Sequence, residues 1–220
     1  MKNNNSINKT ARIAGLLYLL NAVFAGFALY VRSSLFVSGD GAATVTKILA
    51  SGMLFRIGIV SDLIGQVVQI LMALTLYEVF KTYNKTYALL MAVLGLMIVP
   101  IVMLNQLNQF AILNLLGTAN YPQVAFYVSQ FSYGLFIAQI FFGLWLFPLG
   151  YLAFKSRYIP RILGILLIIA GFGYVIDSFG KFLFPKYNPT LAMFTFIGEV
   201  TFLLWLIIKG VNVRTKDEPK

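Results

Sequence analysis

The sequence predicts an all-α fold: a polytopic membrane protein built as a six-transmembrane-helix bundle, with both termini cytoplasmic. Three observations predict it. The chain of 220 residues is 60% hydrophobic and only 11% charged, whereas soluble domains carry about 25% charged residues, and its mean hydropathy is +0.84. Six separate apolar stretches approach the roughly 20 residues a helix needs to cross a hydrocarbon core of about 30 Å. The basic residues then fall unevenly between the connections, as the positive-inside rule requires.

The elements follow in order. An Asn/Lys-rich head, residues 1–12, precedes the first span at about 13–31. That stretch lacks a small-residue cleavage pattern and is long enough to span, so it reads as a helix rather than a removable signal. The remaining spans fall at about 54–80, 87–116, 133–154, 162–179 and 191–208. Residues 13–209 therefore read as a single membrane domain, and 210–220 as a cytoplasmic tail. In the first outer connection, Asp40 precedes Gly41, Ala42, Ala43, Val45, Ile48 and Leu49, a pattern for a short interfacial helix capped by Asp40. Such a helix either shapes a binding mouth or simply caps the bundle. The inner loops, 81–86 and 155–161, are tight, and Pro160 suits a first helical turn. Residues 117–132 read as an uncharged linker.

With both ends inside, the inner side carries Lys2, Lys9, Arg12, Lys81, Lys85, Lys155, Arg157, Arg161, Lys209, Arg214, Lys216 and Lys220, and the outer side Arg32, Lys47, Arg56, Lys181 and Lys186. The net charge of +10 is thus topogenic and lipid-facing, and no nucleic-acid partner is expected. The chain has neither cysteine nor histidine. That excludes thiolate nucleophiles, cysteine-ligated metals, histidine-ligated haem, HExxH metalloproteases and Ser–His proteases. No catalytic residue, metal or cofactor is assigned.

Inside a bilayer a polar side chain needs a partner or a function. Asp62, Gln66 and Gln69 share one face of span two, at i, i+4 and i+7. Span three carries Asn105, Gln106, Asn108 and Gln109; span four adds Gln139, span one Asn21, span five Asp177 and span six Glu199. Asp62, Gln66, Asn105, Gln109, Gln139 and Glu199 are the candidate ligand-binding residues, expected to converge on one pocket open to the outside, with Glu199 near the midplane at its floor. Asn21, Arg56 and Asp177 are secondary candidates. The competing explanation for the amides is hydrogen-bonded glue between helices, at about 0.6 kcal/mol per bond. Glu199 is harder to explain as glue, because a carboxylate at the bilayer centre costs roughly 2.5–3.5 kcal/mol. A neutral Glu199 donating to Asn21, Gln66 or Asn105 would be structural; one that exchanges its proton would be functional. Arg56, Arg32 and Lys181 are alternative partners for Asp62. Asp177 and Lys181 form an i, i+4 pair at the outer end of span five, read as a solvated interface feature. Glu78, beside Lys81 and Lys85, reads as a snorkelling surface charge.

Packing signals are plain. Gly143 and Gly150 in span four, and Gly164 and Gly171 in span five, recur at seven-residue spacing, so two helices are expected to approach closely along that stripe. Pro100 and Pro148 lie inside spans and each frees a carbonyl. The 20 Phe and 12 Tyr read mostly as lipid-facing bulk and interfacial belt, with Tyr121, Tyr127 and Tyr133 at the outer belt.

The run Phe142-Gly-Leu-Trp-Leu-Phe-Pro-Leu-Gly-Tyr-Leu-Ala-Phe-Lys-Ser-Arg-Tyr-Ile-Pro-Arg-Ile-Leu-Gly164, with Ala170-Gly-Phe-Gly-Tyr-Val-Ile-Asp-Ser178, resembles the bacterial membrane family catalogued as domain of unknown function 4386. So do the Arg12-Ile-Ala-Gly-Leu-Leu-Tyr-Leu start and the Leu74-Thr-Leu-Tyr-Glu-Val-Phe80 end of span two. The resemblance implies a multi-pass protein of the bacterial cytoplasmic (inner) membrane and carries over no catalytic residue. The residues themselves point to a protein that binds or moves a small polar or amphiphilic ligand. The alternatives are an assembly subunit whose polar helix face meets a membrane partner, and a lipid-modifying enzyme working through Asp62 or Glu199. Expected partners are the bilayer, a small-molecule ligand, and a second copy or another membrane protein.

Overall fold

The computed structural model describes residues 4–184, 186–187 and 190–212, and every regular element among them is helical. In chain order these are α1 (Asn4–Leu35), α2 (Gly41–Ala50), α3 (Gly52–Phe80), α4 (Lys85–Leu115), α5 (Tyr121–Ser156), α6 (Arg161–Leu183), α7 (Leu191–Thr195) and α8 (Ile197–Ile208). Six spans are long and apolar enough to cross a membrane: α1, α3, α4, α5, α6, and Leu191–Ile208, which α7 and α8 share. Lys2, Arg214, Lys216 and Lys220 lie outside the described residues.

The spans close into a ring. α1 packs on α3, α3 on α4, α4 on α5 and α5 on α6, while α8 joins α6 back to α1. The polar residues of the spans lie on their buried faces, beside apolar ones, and the outer faces are greasy. On α3, Ile57, Val60, Ile64, Val67, Leu71 and Leu74 are exposed at alternating three- and four-residue steps, while Asp62, Gln66, Gln69, Met72 and Leu76 are buried. That arrangement, with amides facing in and aliphatics facing out, suits lipid as the surrounding solvent.

Two apolar cores fill the ring. The larger takes in Leu76, Phe80, Met91, Trp145, Leu149 and Phe202; the smaller lies at the opposite end, around Val31, Ile48, Phe55, Ile112 and Val128. The smaller core exists because two elements exceed the bare spans. Asp40 caps α2, accepting a bond from the Ala43 N–H at 2.8 Å, and α2 lies against the start of α5 so closely that a Cβ on Gly41 would sit 1.9 Å from the Tyr121 oxygen. The fourth span also begins twelve residues before the expected 133, so most of the stretch read as a linker is helix. α5 has 36 residues, about 54 Å at 1.5 Å per residue, and so overruns a hydrocarbon core. Val124, Val128 and Phe131, one face of the extension, are buried.

The glycine stripe packs as the spacing predicts. A Cβ on Gly143 would lie 2.6 Å from the Gly171 oxygen, and one on Gly150 would lie 2.7 Å from the Gly164 oxygen. At the other end of the molecule, Gly210 adopts φ +69 after α8, and the following Val211 N–H donates to Asn8 Oδ1 at 3.0 Å. The start of α1 and the end of α8 are thereby tied at the same end of the ring. Tyr158, from the α5–α6 loop, stacks there on Phe80 and accepts the Asn212 N–H at 2.9 Å. This is the end rich in basic residues.

Candidate functional site

The structure divides the candidate residues among separate clusters. The first centres on Asp62. Its Oδ2 accepts from Arg32 Nη1 of α1 and from Gln106 Nε2 of α4 at 3.0 Å, and Gln109 donates in turn to Gln106. Of the three expected partners, Arg32 is the one Asp62 meets. Arg56 is exposed and stands apart from this cluster. The Arg32 guanidinium also lies over the Phe131 ring, 5.2 Å from its centroid.

A second set of amides binds helix to helix. Asn21 Nδ2 of α1 donates to Gln69 Oε1 at 2.6 Å, and Gln69 Nε2 donates to the Gly95 oxygen of α4 at 3.3 Å. Asn105 Nδ2 reaches the Phe131 oxygen of α5 at 2.8 Å, and Asn108 donates back to Asn105 Oδ1 at 2.9 Å. These bonds run across α1, α3, α4 and α5, the arrangement expected of glue. Gln66 shares the buried face, but its Oε1 has no hydrogen-bond partner. Gln106 is only 1% exposed and engaged with Asp62.

Glu199 stands in a third cluster, away from Asn21, Gln66 and Asn105. Its Oε2 accepts from Tyr18 of α1, and its Oε1 accepts from Tyr174 of α6 at 2.8 Å. The Tyr18 ring packs against Trp145 and Phe202. Glu199 lies in the first turn of α8, just past the break in the last span, where Gly198 lets α8 touch the Leu166 backbone. The two tyrosines were not among the sequence candidates, because aromatics read as belt and bulk. A phenol mid-span was the available signal, since a buried O–H needs an acceptor.

Asp177 differs from expectation as well. It is 1% exposed and accepts from the Tyr187 hydroxyl at 2.8 Å and the Ala192 N–H at 2.7 Å, so it ties the α6–α7 connection instead of pairing with Lys181 in solvent. Glu78 pairs with Lys81, both side chains about one-third exposed. Among the described residues no three acidic side chains converge on a metal position.

α8 has 12 residues, about 18 Å, and packs on both α6 and α1, with its last residue leading into the Val211–Asn8 tie at the basic end. At the other end a cleft of about 340 Å³ separates α1 from α5 and the end of α6, within the usual size range of ligand sites. Arg32 of α1 and Lys181 of α6 both line it, together with the apolar Leu29 of α1, Phe36 just after that helix, and Leu135 and Phe136 of α5. None of the six primary candidates lines this cleft. Asp62 lies one bond behind it, through Arg32. Gln139, half-buried, sits one turn below Phe136 on α5.

Residues 13–210 match the family described as Domain of unknown function (DUF4386). The chain belongs to this family. A DUF4386 assignment fits the six apolar helices and identifies a multi-pass membrane architecture without naming a ligand. A protein described as "Uncharacterized protein" from Archaeoglobus fulgidus is 49% identical over 74 residues, which is 34% of this chain and 44% of that protein. This chain thus matches less than half the length of that relative. No solved structure matches.

Proposed function

We propose that this DUF4386 protein binds or moves a small polar or amphiphilic ligand through the cleft between α1, α5 and α6, which opens on the outer face of a bacterial cytoplasmic membrane. The observation that carries the reading is the cleft itself. It is lined by two cations, Arg32 of α1 and Lys181 of α6, and by apolar side chains of α1 and α5, and it opens at the end with fewer basic residues, which the positive-inside rule puts outside. The α1 residues Ala25 and Leu29 on the same flank are exposed, so the cleft is reachable sideways from lipid as well as from water. The site residues are then Arg32 and Lys181 at the cleft, with Asp62, Gln106 and Gln109 holding Arg32 in place. Residues 13–209 act as one membrane unit, with the basic head and tail on the cytoplasmic side.

The native chain has no cysteine, so single cysteines test this directly. Ser132→Cys, in the cleft, should react with a membrane-impermeant maleimide applied to intact cells, whereas Lys155→Cys should react only after permeabilisation. In nanodiscs, a short-chain amphiphile should slow labelling of Ser132→Cys and leave Ser51→Cys unchanged. The opposite sidedness, or equal labelling with and without amphiphile, defeats the reading.

A further inference from the structure

The cleft's charge specifies its ligand more narrowly. We propose that it holds a single-chain amphiphile with an anionic phosphate or carboxylate head, the head between Lys181 and Arg32 and the chain along Leu29, Phe36, Leu135 and Phe136; this rests on the cleft being the binding site. Around this end of the bundle stand five cations and three carboxylates. Each carboxylate is already engaged: Asp40 on the Ala43 N–H, Asp62 on Arg32 and Gln106, Asp177 on Tyr187 and the Ala192 N–H. Asp177 is one turn before Lys181, yet its two bonds run toward the α7 side. Lys181 therefore lines the cleft with no acidic partner among the described residues.

Arg32 complements it differently. A guanidinium carries five N–H donors in a planar fork, and Asp62 takes only Nη1. The Asp62 bond and the Phe131 ring hold the guanidinium, and its remaining N–H donors suit a bidentate oxyanion. The serine hydroxyls do not compete for this role. Ser33, Ser129 and Ser132 each donate to a carbonyl of their own helix; Ser38 and Tyr133 also line the cleft and can add neutral donors, but the positive charge that meets an anion comes from the two cations. The acid nearest the mouth, Asp40, is two residues beyond Ser38 and turned to the α2 N-terminus. A neutral or cationic head would leave Lys181 uncompensated, whereas one negative charge balances the set Arg32, Asp62 and Lys181.

The test uses the full chain purified in a neutral maltoside detergent, with decyl phosphate, decanoate, decyl glucoside and inorganic phosphate as probes and calorimetric titration as the readout. Decyl phosphate and decanoate should bind saturably at one site. Lys181→Gln should weaken both at least about tenfold, the loss of one charge-assisted contact, and Lys181→Arg should restore them to within about threefold. Because Arg32→Gln alone endangers folding, the second cation is tested in the Arg32→Gln/Asp62→Asn double variant, where the same weakening is expected. Decyl glucoside binding as tightly as decyl phosphate, indifferent to Lys181→Gln, overturns the anion assignment while the cleft reading stands. Inorganic phosphate matching decyl phosphate, with the same Lys181 dependence, overturns the amphiphile and makes the ligand a free oxyanion. Amphiphile binding that the cleft-filling Leu135→Trp leaves intact overturns this proposal and the cleft reading together.

Discussion

Asp62 and Glu199 are both buried carboxyl groups inside the same bundle, 5% and 6% exposed, yet their surroundings differ in kind. Asp62 has a counter-charge, Arg32, and amide donors from α4. Glu199 has two phenols and no cation. The first is an ion pair whose members are held by three helices, so its charge is balanced whatever occupies the cleft. The second depends wholly on neutral donors, so its balance changes with its proton. The two acids therefore answer different perturbations: Asp62 to loss of a cation, Glu199 to loss of a hydroxyl.

The largest expected effect comes from breaking the ion pair. Arg32→Gln strands the Asp62 carboxylate, and removing one member of a buried pair costs about 3–5 kcal/mol. Adding Asp62→Asn removes the stranded charge, so the double variant should recover most of that loss in thermal unfolding followed in detergent. Additive losses would mean that the pair is not the unit assumed here.

The next comparison sharpens the contrast by removing one neutral donor from each acid. Tyr18→Phe keeps the ring against Trp145 and Phe202 and deletes one of the two hydroxyls on Glu199. That should cost about 1.5–3 kcal/mol, within the penalty for leaving a buried polar group short of a partner. Gln106→Met leaves Asp62 with its counter-charge Arg32 and should cost less, about 1.5 kcal/mol, the low end for a bond to a charged group. If Gln106→Met proves the more damaging of the two, the cation is not what satisfies Asp62, and the distinction between the sites fails.

Why the sequence predicts one part of this and misses another follows from what each feature needs. The spans depend on length and hydropathy alone, and the α5–α6 glycine seam on a seven-residue recurrence along each helix, so both are readable from one strand of text. The start of α5 was readable too. Asn120 and Pro122 mark a helix entrance, and Val124, Val128 and Phe131 keep helical spacing, but the missing charge reads as a linker. The polar residues announce burial because lipid makes any other position costly. Their pairing does not follow, since it depends on how far each helix is rotated about its axis. That rotation puts Arg32 rather than Arg56 beside Asp62, and two tyrosines rather than three amides beside Glu199. The cleft was hidden for a related reason: which side chains of α1, α5 and α6 line it depends on those same rotations.

Asp177 supplies the smallest effect and the control for the other two, because it shares the phenol donor of Glu199 but meets it in the loop between α6 and α7. The hydrogen bond to Asp177 raises the Tyr187 hydroxyl above its ordinary pKa, with burial and the nearby negative charge adding in the same direction. A group whose pKa is raised on folding contributes stability in full below its unfolded value, about 10 for tyrosine, and loses it as the pH climbs through the folded value. Tyr187→Phe should therefore weaken protection of the Ala192 amide, which donates to the same carboxylate, when exchange is compared with the parent near pH 8, some two units below the tyrosine value of about 10. The difference between parent and variant should shrink once the pH passes about 10. Asp62, which accepts from a guanidinium and an amide and from no phenol among the described residues, should show no matching change in the protection around it. A Tyr187 effect that persists undiminished in alkali would mean that the ring, and not its hydroxyl, holds the connection.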